Sequence, residues 1–267
     1  MKDHQPDSEV LRITDESGVF SVTLNRPDVN NAFDDKLIHA LIACFKELSE
    51  REDCKIVVLQ SEGKHFSAGA DLNWMKRMAT LSYEENVADA NQLAKLMQTI
   101  YFCNKPVIAK VQGAAYGGAI GLIACCDIAI AAENASFCLS EVKLGLAPAV
   151  ISPFVINTIG TRKAGYYFLT AEVFNAQQAK EMELIHEVSA DTLLDEKIQQ
   201  LTEKLIANGP KAMQASKKLI RQYSAPVFND ALFSFTSGLI AGLRVSPEGQ
   251  EGMSAFFEKR KPAWKTA

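Results

Sequence analysis

Val111-Gln112-Gly113-Ala114-Ala115-Tyr116-Gly117-Gly118-Ala119 is the stretch on which the fold turns. The apolar run Pro106–Val111 reads as a buried strand, and the glycine- and alanine-rich residues after it open a helix through Cys125. Strand, glycine turn and helix make one unit of an α/β chain. The turn also has chemical meaning. The first backbone N–H groups of a helix have no intrahelical acceptor and carry a partial positive charge. Glycine lets a ligand approach them closely, although close packing of the helix on a sheet accounts for the same glycines. The stretch has no Gly-Lys-Ser/Thr ending and is not Gly-x-Gly-x-x-Gly, so it gives no support to a nucleotide or dinucleotide site.

The same alternation extends in both directions. Upstream, Val19–Leu24 is a strand that stops at Asn25-Arg26-Pro27. Leu37, Ile38, Leu41, Ile42, Phe45 and Leu48 form a helical stripe, with Asp34 and Asp35 at its start. Ile56–Leu59 is a short buried strand, followed by a loop over residues 65–71 and a helix from about Tyr83 to Tyr101. Downstream, Ile128–Ala131 is again a strand. Beyond residue 190 the character changes: Leu193–Ala207, Pro210–Tyr223, Phe228–Leu243 and Met253–Arg260 read as helices. The expected organisation is therefore an α/β domain over residues 1–190 and a helical region over 191–267. Leu232, Phe233, Phe235, Leu239, Ile240 and Leu243 make a wide apolar face that a neighbouring subunit would cover.

Composition narrows the function. In 267 residues, 48% are hydrophobic and 22% charged, with a net charge of −4, which fits a globular chain and excludes a broad polycationic surface for nucleic acid. The start, MKDHQPDSEV, is polar, and no stretch reads as a membrane span, so a cytoplasmic protein is expected. The six cysteines show no Cys-x-x-Cys spacing, and the histidines show no metal-ligand spacing. Buried reduced thiols and no metal are expected.

Three segments can carry chemistry. The Gly117-Gly118 turn and the loop Phe66-Ser67-Ala68-Gly69-Ala70-Asp71-Leu72 can each point N–H groups at one oxygen, the arrangement of an oxyanion hole. Glu141, in Ser140-Glu141-Val142-Lys143-Leu144-Gly145, has mostly apolar neighbours; an acid so placed can work as a general acid or base, while pairing with Lys143 would make it ordinary. His65 beside the first loop reads as structural or merely exposed, and the absence of Gly-x-Ser-x-Gly leaves no Ser-His-Asp arrangement to argue for.

In this order and spacing the segments resemble the enoyl-CoA hydratase/isomerase (crotonase) family. Leu24-Asn25-Arg26-Pro27, Asn31-Ala32-Phe33, Cys126-Asp127-Ile128 and the run Glu251–Arg260 extend the resemblance over nearly the whole chain. It implies a spiral of ββα units with a helical C-terminal region that mediates trimers, commonly paired into hexamers. It implies an acyl-CoA thioester as ligand and no separate cofactor. Ala70 and Gly118 match the oxyanion positions, with Gly117 beside them; Ala68, Asp71 and Leu72 would border CoA, and Phe256 and Lys259 match C-terminal residues that reach it.

Glu141 stands at the second of the family's two hydratase glutamates, whereas Gly121 stands at the first. Either Glu141 hydrates alone, or with water and a residue from another loop, or it shuttles one proton in a Δ3,Δ2-enoyl-CoA isomerase; a non-catalytic acyl-CoA or RNA-binding relative is a further reading. The runs Phe66–Met75 and Ser140–Pro153 resemble bacterial 3-methylglutaconyl-CoA hydratases of leucine breakdown, whose relatives act in acyclic terpene catabolism. Such substrates carry a distal carboxylate, which Asn73, Lys76, Arg77 or Arg162 could meet.

Overall fold

The computed structural model describes residues 2–3, 9–224 and 229–263. Its strands are β1 (Lys2–Asp3), β2 (Leu11–Glu16), β3 (Val19–Leu24), β4 (Ile56–Ser61), β5 (Val107–Val111), β6 (Ala114–Tyr116), β7 (Ile128–Ala132), β8 (Ser136–Cys138), β9 (Phe174–Asn175) and β10 (Glu187–Ser189). Its helices are α1 (Asp35–Glu50), α2 (Leu72–Met78), α3 (Tyr83–Tyr101), α4 (Gly118–Cys125), α5 (Ser152–Thr170), α6 (Ala176–Glu181), α7 (Leu194–Ile206), α8 (Pro210–Ser224), α9 (Asp230–Val245) and α10 (Pro247–Phe257).

The main sheet has the order β1-β2-β3-β4-β5-β7-β10. β1 to β3 pair antiparallel, and β3, β4, β5, β7 and β10 run parallel. Parallel strands need covered faces, and alternate residues supply both. Val57, Leu59, Val107, Ala109, Val111, Ala129 and Ala131 join the core with α1, α3 and α4. Ile56, Val58, Ile108, Ile130 and Ala132 point the other way, onto Leu194 and Ile198 of α7. A second, three-stranded sheet has the order β6-β8-β9 and holds the functional segments.

The helices start where the sequence provides caps. Asp34 accepts the Leu37 N–H ahead of α1, and Ser82 forms a capping box with Glu85 ahead of α3. Three helices escape the periodicity reading: α2, which begins directly after the loop at Asp71, α5, interrupted at Gly160, and the six-residue α6. The last helix begins at Pro247, not Met253, because Ser246 caps it. On α9, Phe233 and Ile240 are buried and Phe235 and Leu239 exposed, so only part of the expected face is free. Phe228 and most of the polar N-terminal stretch lie outside the described residues. All six cysteines are free and buried, and burial pushes the thiols up, to about 12 at Cys44 and Cys54. Among the described residues no helix is long and apolar enough to cross a membrane, and no group of three metal-ligating side chains forms.

Asp127, between α4 and β7, ties the C-terminal helices to the sheet. It accepts the Val107 N–H at 2.8 Å, Lys217 Nζ at 2.6 Å and Arg221 Nη2 at 2.9 Å. Lys217 is buried and also donates to the Lys105 carbonyl at 2.8 Å. Asp127→Ala strands a buried cation and is expected to remove about 3–5 kcal/mol of stability in urea unfolding; a loss below about 1 kcal/mol would show that this anchor is not stabilising.

Candidate active site

Two edges grip the loop over residues 65–71. On one side the Phe66 and Ser67 N–H groups donate to the Gln112 and Ala114 carbonyls at 2.8 and 3.0 Å, and the Tyr116 N–H donates to Ser67 O at 3.0 Å. At Ala68 the bonding changes sides. The Ala68 N–H donates to Asn30 O at 2.9 Å, the Phe33 N–H to Gly69 O at 2.7 Å, and the Asp71 N–H to Phe33 O at 2.7 Å. Phe33 and Ala70 thus form a parallel bridge in which Phe33 spends both of its backbone groups. Parallel pairing then turns the N–H and C=O of Ala70 the opposite way, away from Phe33. A Cβ on Gly69 would meet Tyr116 O at 3.0 Å, so the turn lies against this edge.

Gly118 is the first residue of α4. Its N–H has no intrahelical acceptor, and neither it nor the Ala70 N–H donates a hydrogen bond among the described residues. Gly117 caps the helix at φ 53°, ψ −121°, a conformation open to glycine.

The neighbours that fix the loop are polar and specific. Arg26 pairs with Asp34 at 3.0 Å and Asp71 at 3.1 Å. Asn31, buried in a left-handed conformation, donates to the Glu62 and His65 carbonyls at 2.8 and 2.9 Å. Asp71 also caps α2 by accepting the Asn73 and Trp74 N–H groups, so its carboxylate is engaged structurally although it lines the cleft. His65 Nδ1 accepts the Ala114 N–H at 3.0 Å, which makes it structural, the first of its two expected roles.

Register brings Glu141 to the same place. β6 and β8 are parallel with Tyr116 opposite Cys138, and the Gly117 N–H donates to Cys138 O at 2.9 Å. The two chains leave the sheet side by side, one into Gly118 and the other into a single 3-10 turn, Glu141–Leu144, ended by left-handed Gly145. Glu141 Oε1 lies 3.3 Å from where a Cβ on Gly117 would sit, and Oε2 is buried without a hydrogen-bond partner. Desolvation pushes the Glu141 carboxyl up to about 7, against a small opposing pull from its own backbone N–H. Lys143 does not pair with it; its Nζ approaches Cys138 Sγ.

These groups open into a cavity of about 890 Å³. Ala68, Ala70, Asp71, Leu72, Gly117, Gly118, Glu141 and Phe256 line it, together with Asn73 and Lys76. Lys259 is exposed and does not line it; its neighbour Arg260 does. Arg77 pairs with Asp35 at 2.7 Å, and Arg162 is exposed on α5, away from the cavity. The sequence reading also missed Arg244, a cation within the apolar pattern of α9 that lines the cavity. Gly121 is filled from outside: a Cβ there would lie 2.3 Å from Ile151 Cγ2 and 3.2 Å from Met97 Cε. A second glutamate has no room at that position.

The family model for enoyl-CoA hydratase/isomerase matches residues 14–267. The chain belongs to the enoyl-CoA hydratase/isomerase family. Among solved structures, an enoyl-CoA hydratase from Shewanella pealeana is 49% identical over 96% of each chain, with a TM-score of 0.79. The 2,3-dehydroadipyl-CoA hydratase of Escherichia coli is 32% identical over 96% of this chain and 98% of its own. The peroxisomal Delta(3,5)-Delta(2,4)-dienoyl-CoA isomerase of Arabidopsis thaliana is 29% identical over 95% of each. The family has the crotonase fold, and the two-sheet α/β body with a helical C-terminal region is this chain's form of it.

Two stability measurements probe the site. Gly121→Ala drives a methyl into Ile151 and is expected to cost about 1–3 kcal/mol, recovered in part by adding Ile151→Ala; an unaltered unfolding midpoint would contradict the contact. The folded Glu141 carboxyl holds its proton more tightly than in the unfolded chain, so its favourable contribution is full below pH 4.5 and fades as pH rises toward about 7. Glu141→Gln does not titrate, and its stability relative to the parent should rise between pH 5 and pH 8 by up to about 3 kcal/mol. A pH-independent difference would contradict the desolvated carboxyl.

Proposed function

We propose that this chain hydrates an α,β-unsaturated acyl-CoA, with a branched glutaconyl thioester of the 3-methylglutaconyl-CoA type as substrate. The observation that carries the reading is the buried Glu141 carboxyl, with Oε2 free of any hydrogen bond, in one cavity with two unspent N–H groups. Glu141 takes a proton from water as the water oxygen bonds to C3. The π pair moves through C2 and C1 onto the thioester oxygen, which the Ala70 and Gly118 N–H groups stabilise as it becomes negative. The pair then returns, and C2 accepts the proton that Glu141 holds. With its acid range near 7, Glu141 is suited both to accept and to return that proton. The E. coli relative named for dehydroadipyl-CoA, also a dicarboxylic thioester, favours this substrate class. A homotrimer or hexamer would cover the exposed Phe235 and Leu239.

Isomerisation of a 3-enoyl-CoA is the second reading, because Ile151 over Gly121 leaves Glu141 without a second glutamate at the family's first position. Labelled water separates the two: a hydratase incorporates 18O at C3, while an isomerase returns an unlabelled 2-enoyl-CoA. Incubation with 3-methylglutaconyl-CoA is expected to yield 3-hydroxy-3-methylglutaryl-CoA. Its kcat/KM should rise with pH to a plateau above about 7, since the base is the carboxylate form. Glu141→Gln is expected to lose about 10²–10⁴-fold; a loss under threefold would remove Glu141 from the reaction.

A further inference from the structure

One buried cation in the cavity wall has no part in the chemistry above. Lys76 and Lys143 are exposed, and Arg260 is held by Glu251 and Glu258, so Arg244, 6% exposed, is the only buried cation among the described residues lining the cavity. Its Nη1 pairs with Asp89 Oδ2 at 3.0 Å and reaches Asn86 Oδ1 at 3.5 Å. Asp89 is shared, because Oδ1 accepts Trp74 Nε1 at 3.0 Å. Gln250 Nε2 donates to the Arg244 carbonyl at 2.7 Å and fixes that turn of α9. Nε and Nη2 have no hydrogen-bond partner among the described residues, although a guanidinium carries five N–H donors in a fork shaped for a carboxylate.

Position makes this spare edge informative. Two walls run from the reacting groups. One continues from the oxyanion loop through Asp71 into α2, where Trp74 binds Asp89. The other continues from Glu141 through Leu146, Ala149 and Val150, which pack on Ile240, one helical turn before Arg244. Both end at Arg244, and their apolar side chains would reward a hydrocarbon chain that reaches the guanidinium.

We propose that Arg244 selects acyl groups that end in a carboxylate, taking that carboxylate on its free guanidinium edge. The inference rests on the acyl-CoA reading above and names the residue for its substrate class. It replaces Arg77 and Arg162, which lie off the cavity.

Calorimetric binding of two unreactive saturated thioesters of equal length, glutaryl-CoA and pentanoyl-CoA, tests it without turnover. The parent protein should bind glutaryl-CoA roughly 10- to 100-fold more tightly, the range of one charge-assisted contact. Arg244→Gln should abolish that ratio and Arg244→Lys should keep part of it; a general loss of affinity cancels in the ratio. A parent ratio near 1 overturns the proposal without any variant, as does an unchanged ratio in Arg244→Gln. If the parent binds neither thioester, the acyl-CoA reading falls and the proposal with it; if it binds both without preference, only the role of Arg244 falls.

Discussion

The site depends on which side of a chain a backbone hydrogen bond leaves from. Between Ser67 and Asp71 the loop exchanges one partner strand for another, and Phe33 uses both of its backbone groups on the flanks of Ala70. Parity then turns the Ala70 N–H away from Phe33, and Ala70 lines one cavity with Gly118 at the start of α4, whose N–H no helix can satisfy. Both donors are fixed by main-chain geometry before any ligand arrives. Donors held in this way need no reorganisation as charge develops on an oxygen between them. Arg26 and Asn31 matter for the same reason: they lock residues 30–34 against the loop without touching the cavity centre themselves.

Desolvation sets the second half of the chemistry. Glu141 is delivered by strand register, and its Oε2 receives no hydrogen bond. A buried carboxylate with one oxygen left without a hydrogen bond is costly, so the group is held close to the balance between its two protonation states. That balance suits a residue that must take and return one proton. Ile151 over Gly121 excludes a second carboxylate at that position, so the proposed reaction has Glu141 make both transfers.

Much of this was legible in the residues. Alternation located β3, helical spacing located α1 and α3, and continuous apolar runs located β4 and β5, because those elements bury one face or, for the inner strands, both. The ordered fragments around Ala70, Gly118 and Glu141 marked residues that the fold brings to one cavity, although each alone also fits ordinary turn chemistry. What stayed hidden was long-range. α2 is only seven residues, and its strongest signal, Asp71 as a cap ahead of Leu72, Trp74, Met75 and Met78, was read as part of the loop. Gly121 looked like a missing functional group, and only packing shows that Ile151 occupies its space. Arg244 could not be found from spacing, since its partners Asn86 and Asp89 lie on α3, more than 150 positions earlier.

The central claim is that two backbone N–H groups, not side chains, stabilise the thioester oxygen. Replacing the Ala70 amide by an ester, through incorporation of lactic acid at position 70, deletes that N–H and keeps the methyl side chain. The account predicts that kcat on an enoyl-CoA substrate falls by about 10²–10³-fold with the fold intact; a kcat within threefold of the parent would contradict it.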